Sequence, residues 1–102
     1  MPKVALLARF KAKEGTGEEL IAAFRPLIEQ AEKEPGTLLY VLHRSKDEPD
    51  SFWVSELYTD NAAFGAHSGS EAMAAATPAL GALIAESELI IGEPVSAKGA
   101  PV

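Results

Sequence analysis

Residues 3–11 (Lys-Val-Ala-Leu-Leu-Ala-Arg-Phe-Lys) form an apolar run on both parities, the pattern of a strand covered on both faces. Glu14-Gly15-Thr16-Gly17 then reads as a turn. Thr16 with Glu19 three residues later matches a capping box, which predicts a helix to about Lys33. Its stripe is Leu20, Ala23, Phe24, Leu27, Ile28 and Ala31, at the spacing of one helical face. Pro26 removes one helical amide, and because the stripe continues in phase beyond it, a kink is expected there and not a break. Glu34-Pro35-Gly36 ends the helix. Residues 37–45 and 51–59 predict two strands of a hairpin around the charged turn 46–50. Asp60 is the expected N-cap of a short helix from Asn61 to about His67, and Ser70 that of a further helix from Glu71 to about Ala85, divided by Pro78. Residues 87–96 are the expected last strand, disturbed at Gly92 and Pro94, and the tail from Ala97 to Val102 carries no pattern.

The order βαββαβ predicts an α+β, ferredoxin-like protomer: one domain over residues 1–96 with a loose tail, 97–102. Its antiparallel sheet would carry helices on one face. The opposite face should then be polar, yet Leu39, Val41, Trp53 and Leu57 lie on one parity while Leu38, Leu42, Phe52 and Val54 lie on the other. An apolar second face needs a cover, and the simplest cover is the same face of another copy, so a homodimer packed sheet to sheet is expected.

Opposed residues across a symmetric hairpin sum to 96. That sets Tyr40 opposite Glu56, Leu38 opposite Tyr58, Leu42 opposite Val54, His43 opposite Trp53 and Leu39 opposite Leu57. One face thus groups Tyr40, Glu56 and Tyr58 among aliphatic residues. Two readings stand for Glu56: a carboxylate that orients a polar ligand, or one that accepts a bond from Tyr40 or pairs with Arg9 or Arg44. His67 either caps the C-terminus of its helix or faces a ligand from the break between the two helices. Phe64, one turn earlier, is core or a stacking wall. His43 and Trp53 read as amphipathic side chains at a subunit interface. Ser55 or Ser68 with His67 makes only an incomplete nucleophile pair.

The composition removes several chemistries. The chain has 102 residues and no cysteine, which excludes disulfides, thiolate nucleophiles, thiolate zinc sites and iron–sulfur clusters. Two histidines exclude a site of three. Fifteen acids against nine bases, net charge −6, argue against nonspecific nucleic-acid binding. No apolar run approaches the roughly 20 residues of a membrane span, and the N-terminal apolar stretch is too short for a signal peptide, so a cytoplasmic location is the default.

Three segments together resemble a known family. They are Glu34-Pro35-Gly36-Thr37-Leu38-Leu39-Tyr40, then Glu48-Pro49-Asp50-Ser51-Phe52, then Glu56 to His67 (Glu-Leu-Tyr-Thr-Asp-Asn-Ala-Ala-Phe-Gly-Ala-His). This ordered series, within residues 3–92, resembles the antibiotic biosynthesis monooxygenase domain, and most of all its quinol monooxygenase type. The resemblance implies a dimeric α+β barrel with a ligand pocket between sheet and helices. It implies an activity that needs no metal or flavin, with dioxygen as co-substrate. Haem-degrading relatives carry asparagine, tryptophan and histidine where Ala8, His67 and Thr77 stand here, so haem degradation is not expected. Anthrone monooxygenases carry asparagine and tryptophan where Val54 and Tyr58 stand.

The expected function is therefore cofactor-independent monooxygenation of a quinol or related electron-rich aromatic. The alternative is a small-molecule-binding or signalling module on the same dimeric barrel. The candidate catalytic residues are His67 as base or orienting group, Tyr40 and Tyr58 as donors, and Glu56 as anchor for Tyr40. Phe64, Val54, Leu42 and Met73 are the candidate substrate-binding residues.

Overall fold

In the computed structural model, which describes residues 2–101, the elements follow the expected order. They are β1 (Val4–Ala12), α1 (Gly17–Lys33), β2 (Thr37–Arg44), β3 (Ser51–Tyr58), α2 (Asn61–Ser68), α3 (Glu71–Leu83) and β4 (Ile84–Gly92). Met1 and Val102 lie outside the described residues. The four strands form one antiparallel sheet in the order β2-β3-β1-β4, the ferredoxin-like arrangement.

Period-two burial decides which face carries the helices. Val4, Leu6, Phe10 and Ala12 of β1 and Phe52, Val54, Glu56 and Tyr58 of β3 are buried beneath them. Against this inner face α1 lays Leu20, Phe24, Leu27 and Ala31. Leu20 and Leu27 are wholly excluded from water, each contributing about 1.5–3 kcal/mol by transfer alone. Phe10 stacks on Phe24 with ring centroids 5.2 Å apart. The helix runs unbroken through Pro26, as α3 does through Pro78.

Two helix starts behave as the sequence predicts. The Asp60 carboxylate accepts from Ala63 N at 2.8 Å and the Ser70 hydroxyl from Met73 N at 3.2 Å. The third does not. Thr16 makes no side-chain cap and donates to the Lys13 carbonyl, while Asp50 from the β2–β3 turn accepts from Gly15 N and Gly17 N at 2.9 and 3.0 Å. A carboxylate supplied from 33 residues away satisfies the free amides and opposes the positive end of the helix dipole.

Two further expectations are corrected. The last strand begins at Ile84, directly after α3, and ends at Gly92, not at 87 and 96; residues 93–101 hold no helix or strand. The hairpin register sums to 96 from Leu39↔Leu57 to Arg44↔Phe52. A bulge then intervenes, so that Thr37, not Leu38, faces Tyr58.

The outer face grades from apolar to polar. Leu39, Leu57 and Ala5 share one row, Val41, Ser55, Leu7 and Ile90 the next, then His43, Trp53, Arg9 and Glu88. Leu39, Val41 and Ile90 are exposed. The chain is a slab of 41 × 30 × 19 Å, and its accessible surface of 6378 Å² is about 800 Å² above that of a typical monomer of its mass.

Candidate functional site

The site is built where the end of α1, the start of β2, the end of β3 and the last turn of α2 converge. Gly36 permits the convergence. A Cβ added there would meet the Ala63 Cβ at 2.5 Å, so only glycine lets the α1–β2 connection lie against α2. Thr59 N donates to the Gly36 carbonyl at 2.9 Å and ties the connection to the end of β3.

This close approach brings Glu34 to His67. His67 Nδ1 lies 2.8 Å from Glu34 Oε1, and His67 is 2% exposed. Thr37 Oγ1 donates to Glu34 Oε1 at 2.8 Å and Gln30 Nε2 to Oε2 at 3.1 Å. Burial alone would raise the Glu34 carboxyl, but the bonds from His67, Gln30 and Thr37 outweigh it and hold the group below the ordinary carboxylate range. Glu34 is thus an ionised acceptor. The other imidazole nitrogen, Nε2, is buried and has no hydrogen-bond partner among the described residues. Leaving such a group unsatisfied costs about 1–3 kcal/mol, so it calls for an explanation, of which a catalytic role is one.

Around His67 stand the residues that the sequence grouped. The Tyr40 ring lies 4.9 Å from the imidazole and the Tyr58 ring 5.5 Å, while Phe64 packs on Tyr58 at 5.3 Å. Glu56 accepts the Tyr58 hydroxyl, and not that of Tyr40 as the face map led one to expect. Tyr40 and Tyr58 are neighbours of Glu56 across and along the sheet respectively, and only side-chain geometry separates the two pairings. The single phenolic proton of Tyr58 is thereby committed to Glu56. Burial raises the Glu56 carboxyl, and the Tyr58 bond and His67 offset this only in part. Burial, then the neighbouring carboxylates, also raise both phenols, so Tyr40 and Tyr58 stay protonated at neutral pH.

The remaining candidates belong to the adjoining hydrophobic core or its edge. Val54 is a core residue at 1% exposure, and Leu42 and Met73 pack against the same cluster. His43, on the outer face, stacks on Trp53 at 5.1 Å and its Nε2 lies 3.1 Å from Ser55 Oγ. Ser68 donates to the Phe64 carbonyl, so neither serine pairs with His67. Glu34 was legible as part of the helix terminator and as the first residue of the resembling segment 34–40, but not as a site residue. Nothing in the sequence spacing couples it to His67.

A groove of about 260 Å³ between α1 and β2 includes Thr37 and Tyr40 in its lining. A second, of about 490 Å³, runs past Arg9, Lys11, Trp53 and Glu88 at the polar end of the sheet. His67 lines neither. Among the described residues no group of three or more His, Asp or Glu is placed to hold a metal ion, and no helix is long and apolar enough to cross a membrane.

The sequence profile of the antibiotic biosynthesis monooxygenase family matches residues 3–79. The chain belongs to that family. Solved structures agree with the antibiotic biosynthesis monooxygenase assignment. A protein from Shewanella oneidensis is 31% identical, with 94% of each chain covered and a TM-score of 0.88. One from Caulobacter crescentus, ascribed to the same family, is 29% identical over 93% of this chain and 92% of its own, with a TM-score of 0.87. One from Chloroflexus aurantiacus, likewise ascribed, is 27% identical over 97% and 99%, with a TM-score of 0.81. No curated protein matches the chain significantly.

Proposed function

We propose that this family member is a monooxygenase that inserts oxygen into a quinol or related electron-rich phenol without a bound cofactor, acting in the cytoplasm as a homodimer. The observation that carries the reading is a buried imidazole, held by a carboxylate at Nδ1 and unpartnered at Nε2, beside a protonated tyrosine.

The substrate can supply every electron. A quinol that becomes a hydroxyquinone gives up four, which reduce both atoms of dioxygen; one atom stays in the product and the other leaves as water. What the protein must add is deprotonation, orientation and exclusion of water. An ordinary phenol titrates near 10 and an ordinary histidine near 6.5, a gap of about 3.5 units or roughly 5 kcal/mol against transfer from phenol to imidazole. Tyr40 narrows the gap by donating to the forming anion, and Glu34 holds the imidazole in place. Tyr58 and Glu56 brace the wall behind them. Phe64, Val54, Leu42 and Met73 would shape the apolar surround.

The test is oxygen uptake by metal-stripped protein on freshly reduced quinols, with labelled dioxygen. Uptake above autoxidation is expected, with one labelled atom in the product and a fall of about a hundredfold or more in His67→Ala. Binding without turnover has one observation in its favour, that neither groove reaches His67. It would show as ligand-induced melting shifts with no uptake.

The dimer is supported by the apolar rows of the outer face and by the excess surface, about what one partner contributes to a standard interface. Val41→Asp, in the middle of those rows, should convert the dimer to a monomer in sedimentation analysis at micromolar concentration. A sedimentation coefficient that does not change would show that this face is not the interface.

A further inference from the structure

The carboxylate beside His67 does more than fill space. With Thr37 donating to one oxygen of Glu34 and Gln30 to the other, the Glu34 side chain is already the acceptor in both of those bonds. A bare Nδ1 at 2.8 Å from Oε1 would set two lone pairs against each other, so Nδ1 must carry the proton. In the neutral ring Nε2 is then a bare lone pair, and it is buried with no partner among the described residues. Of the two phenols packed on the ring, Tyr58 donates its hydroxyl proton to Glu56, and Tyr40 makes no hydrogen bond to Nε2.

We propose that Glu34 is the positioning residue that fixes His67 as its Nδ1–H tautomer, so that Nε2 selects ligands carrying a hydroxyl donor over the same ring system with an ether or carbonyl oxygen. The inference rests on the proposed function for the identity of the ring, a hydroquinone, but not for the tautomer or the selection. A ligand hydroxyl satisfies Nε2. A methyl ether or a quinone leaves it buried and unpaired, and adds an acceptor facing an acceptor. The site therefore takes the reduced, protonated form of a quinone–quinol couple and rejects the oxidised form, which lets product leave once its hydroxyl at this position has become a carbonyl. Gly36 contributes indirectly, since the approach it allows is what places Glu34 at the ring.

Two measurements test this without oxygen or turnover. Long-range nitrogen–proton correlation spectra at pH 8, with His43→Asn to assign the two rings, should show His67 protonated at Nδ1 and bare at Nε2. In Glu34→Ala the proton should move to Nε2, the form free imidazole side chains prefer. Nε2–H in the parent protein, or no change in Glu34→Ala, would overturn the tautomer assignment. The parent spectrum decides this even if Glu34→Ala does not fold. Titration under nitrogen with methylhydroquinone, its dimethyl ether and methylquinone should give at least tenfold weaker binding for the last two. Equal affinity, or no binding of the hydroquinone up to millimolar concentration, would overturn the selection. Donor-selective binding without oxygen uptake would retain this inference and discard the monooxygenase reading alone.

Discussion

Tyr58→Phe should lower the stability of the protein by about 2–3 kcal/mol at pH 8, and by distinctly less at pH 4. The substitution keeps the ring, with its contacts to Phe64 and His67, and removes only the hydroxyl that donates to the buried Glu56 carboxyl. Hydrogen bonds to charged groups contribute roughly 1.5–3 kcal/mol, about twice those between neutral groups, so the loss depends on whether Glu56 is ionised. Burial sets the folded-state pKa of Glu56 above its unfolded value of about 4.3. A group shifted this way contributes stability that is complete below the unfolded pKa and is lost as pH rises through the folded one. Removing the Tyr58 donor, which lowers that pKa, pushes it further up, and the difference between the two proteins therefore widens toward alkaline pH. Glu34 works in the opposite sense. Its pKa is lowered, so its contribution is present above the unfolded value and lost as pH falls through the folded one. Denaturant melts of the parent protein, Tyr58→Phe, Glu56→Gln and the double variant at both pH values form a cycle that isolates the bond. A Tyr58→Phe loss that is the same at pH 4 and pH 8 would show that the hydroxyl does not serve the carboxylate. At about 4–8 °C per kcal/mol, the expected fall in Tm at pH 8 exceeds 8 °C.

Gly36→Ala should be the more damaging change for the site itself. The new methyl would stand 2.5 Å from the Ala63 Cβ and 3.2 Å from Thr59 Oγ1, neither of which is the end of a flexible chain. Either α2 or the α1–β2 connection must move. The first carries His67 and the second follows Glu34, so any movement opens their bond. Overpacking of this kind costs about 1–3 kcal/mol, and a displacement near 1 Å at a reacting group can reduce turnover by about a hundredfold. Ala63→Gly removes the methyl that is struck. The pair Gly36→Ala with Ala63→Gly should therefore recover most of the melting temperature, at the cost of a glycine within α2, and most of the His67 tautomer signal. If Ala63→Gly rescues neither, contact with α2 is not what demands glycine at 36.

These two expectations differ in how far the sequence reaches toward them. Tyr58 and Glu56 could be placed on one face because side chains in a strand alternate, and a hairpin with a symmetric turn has a register that can be counted. The count failed only beyond Leu39, where a bulge at the start of β2 moved Thr37 into the place of Leu38. Which phenol bonds Glu56 was not countable, because both neighbours stand within reach and the choice is one of rotamer and burial. Asp60 and Ser70 cap their own helices, and their partners three residues later are part of the same local pattern. Thr16 offered the same pattern and lost to Asp50, a stronger charged acceptor delivered by a turn elsewhere in the chain. The start of β4 was missed for a related reason: α3 passes into strand at Ile84 without a turn residue between them.

What the sequence determined by itself is what short-range periodicity can encode: the βαββαβ order, the helix stripe from Leu20 to Ala31, an apolar outer face in need of a cover, and a group of Tyr40, Glu56 and Tyr58 on one face of the sheet. Only the tertiary structure decided which atoms of that group are satisfied. The pairing of Glu34 with His67 spans 33 residues and depends on a missing methyl at Gly36, and the orphan Nε2 is defined by what does not reach it. Hydrogen bonds form or fail within a few tenths of an ångström, a distance set by how helices and loops pack against the sheet and not by the spacing of residues along the chain.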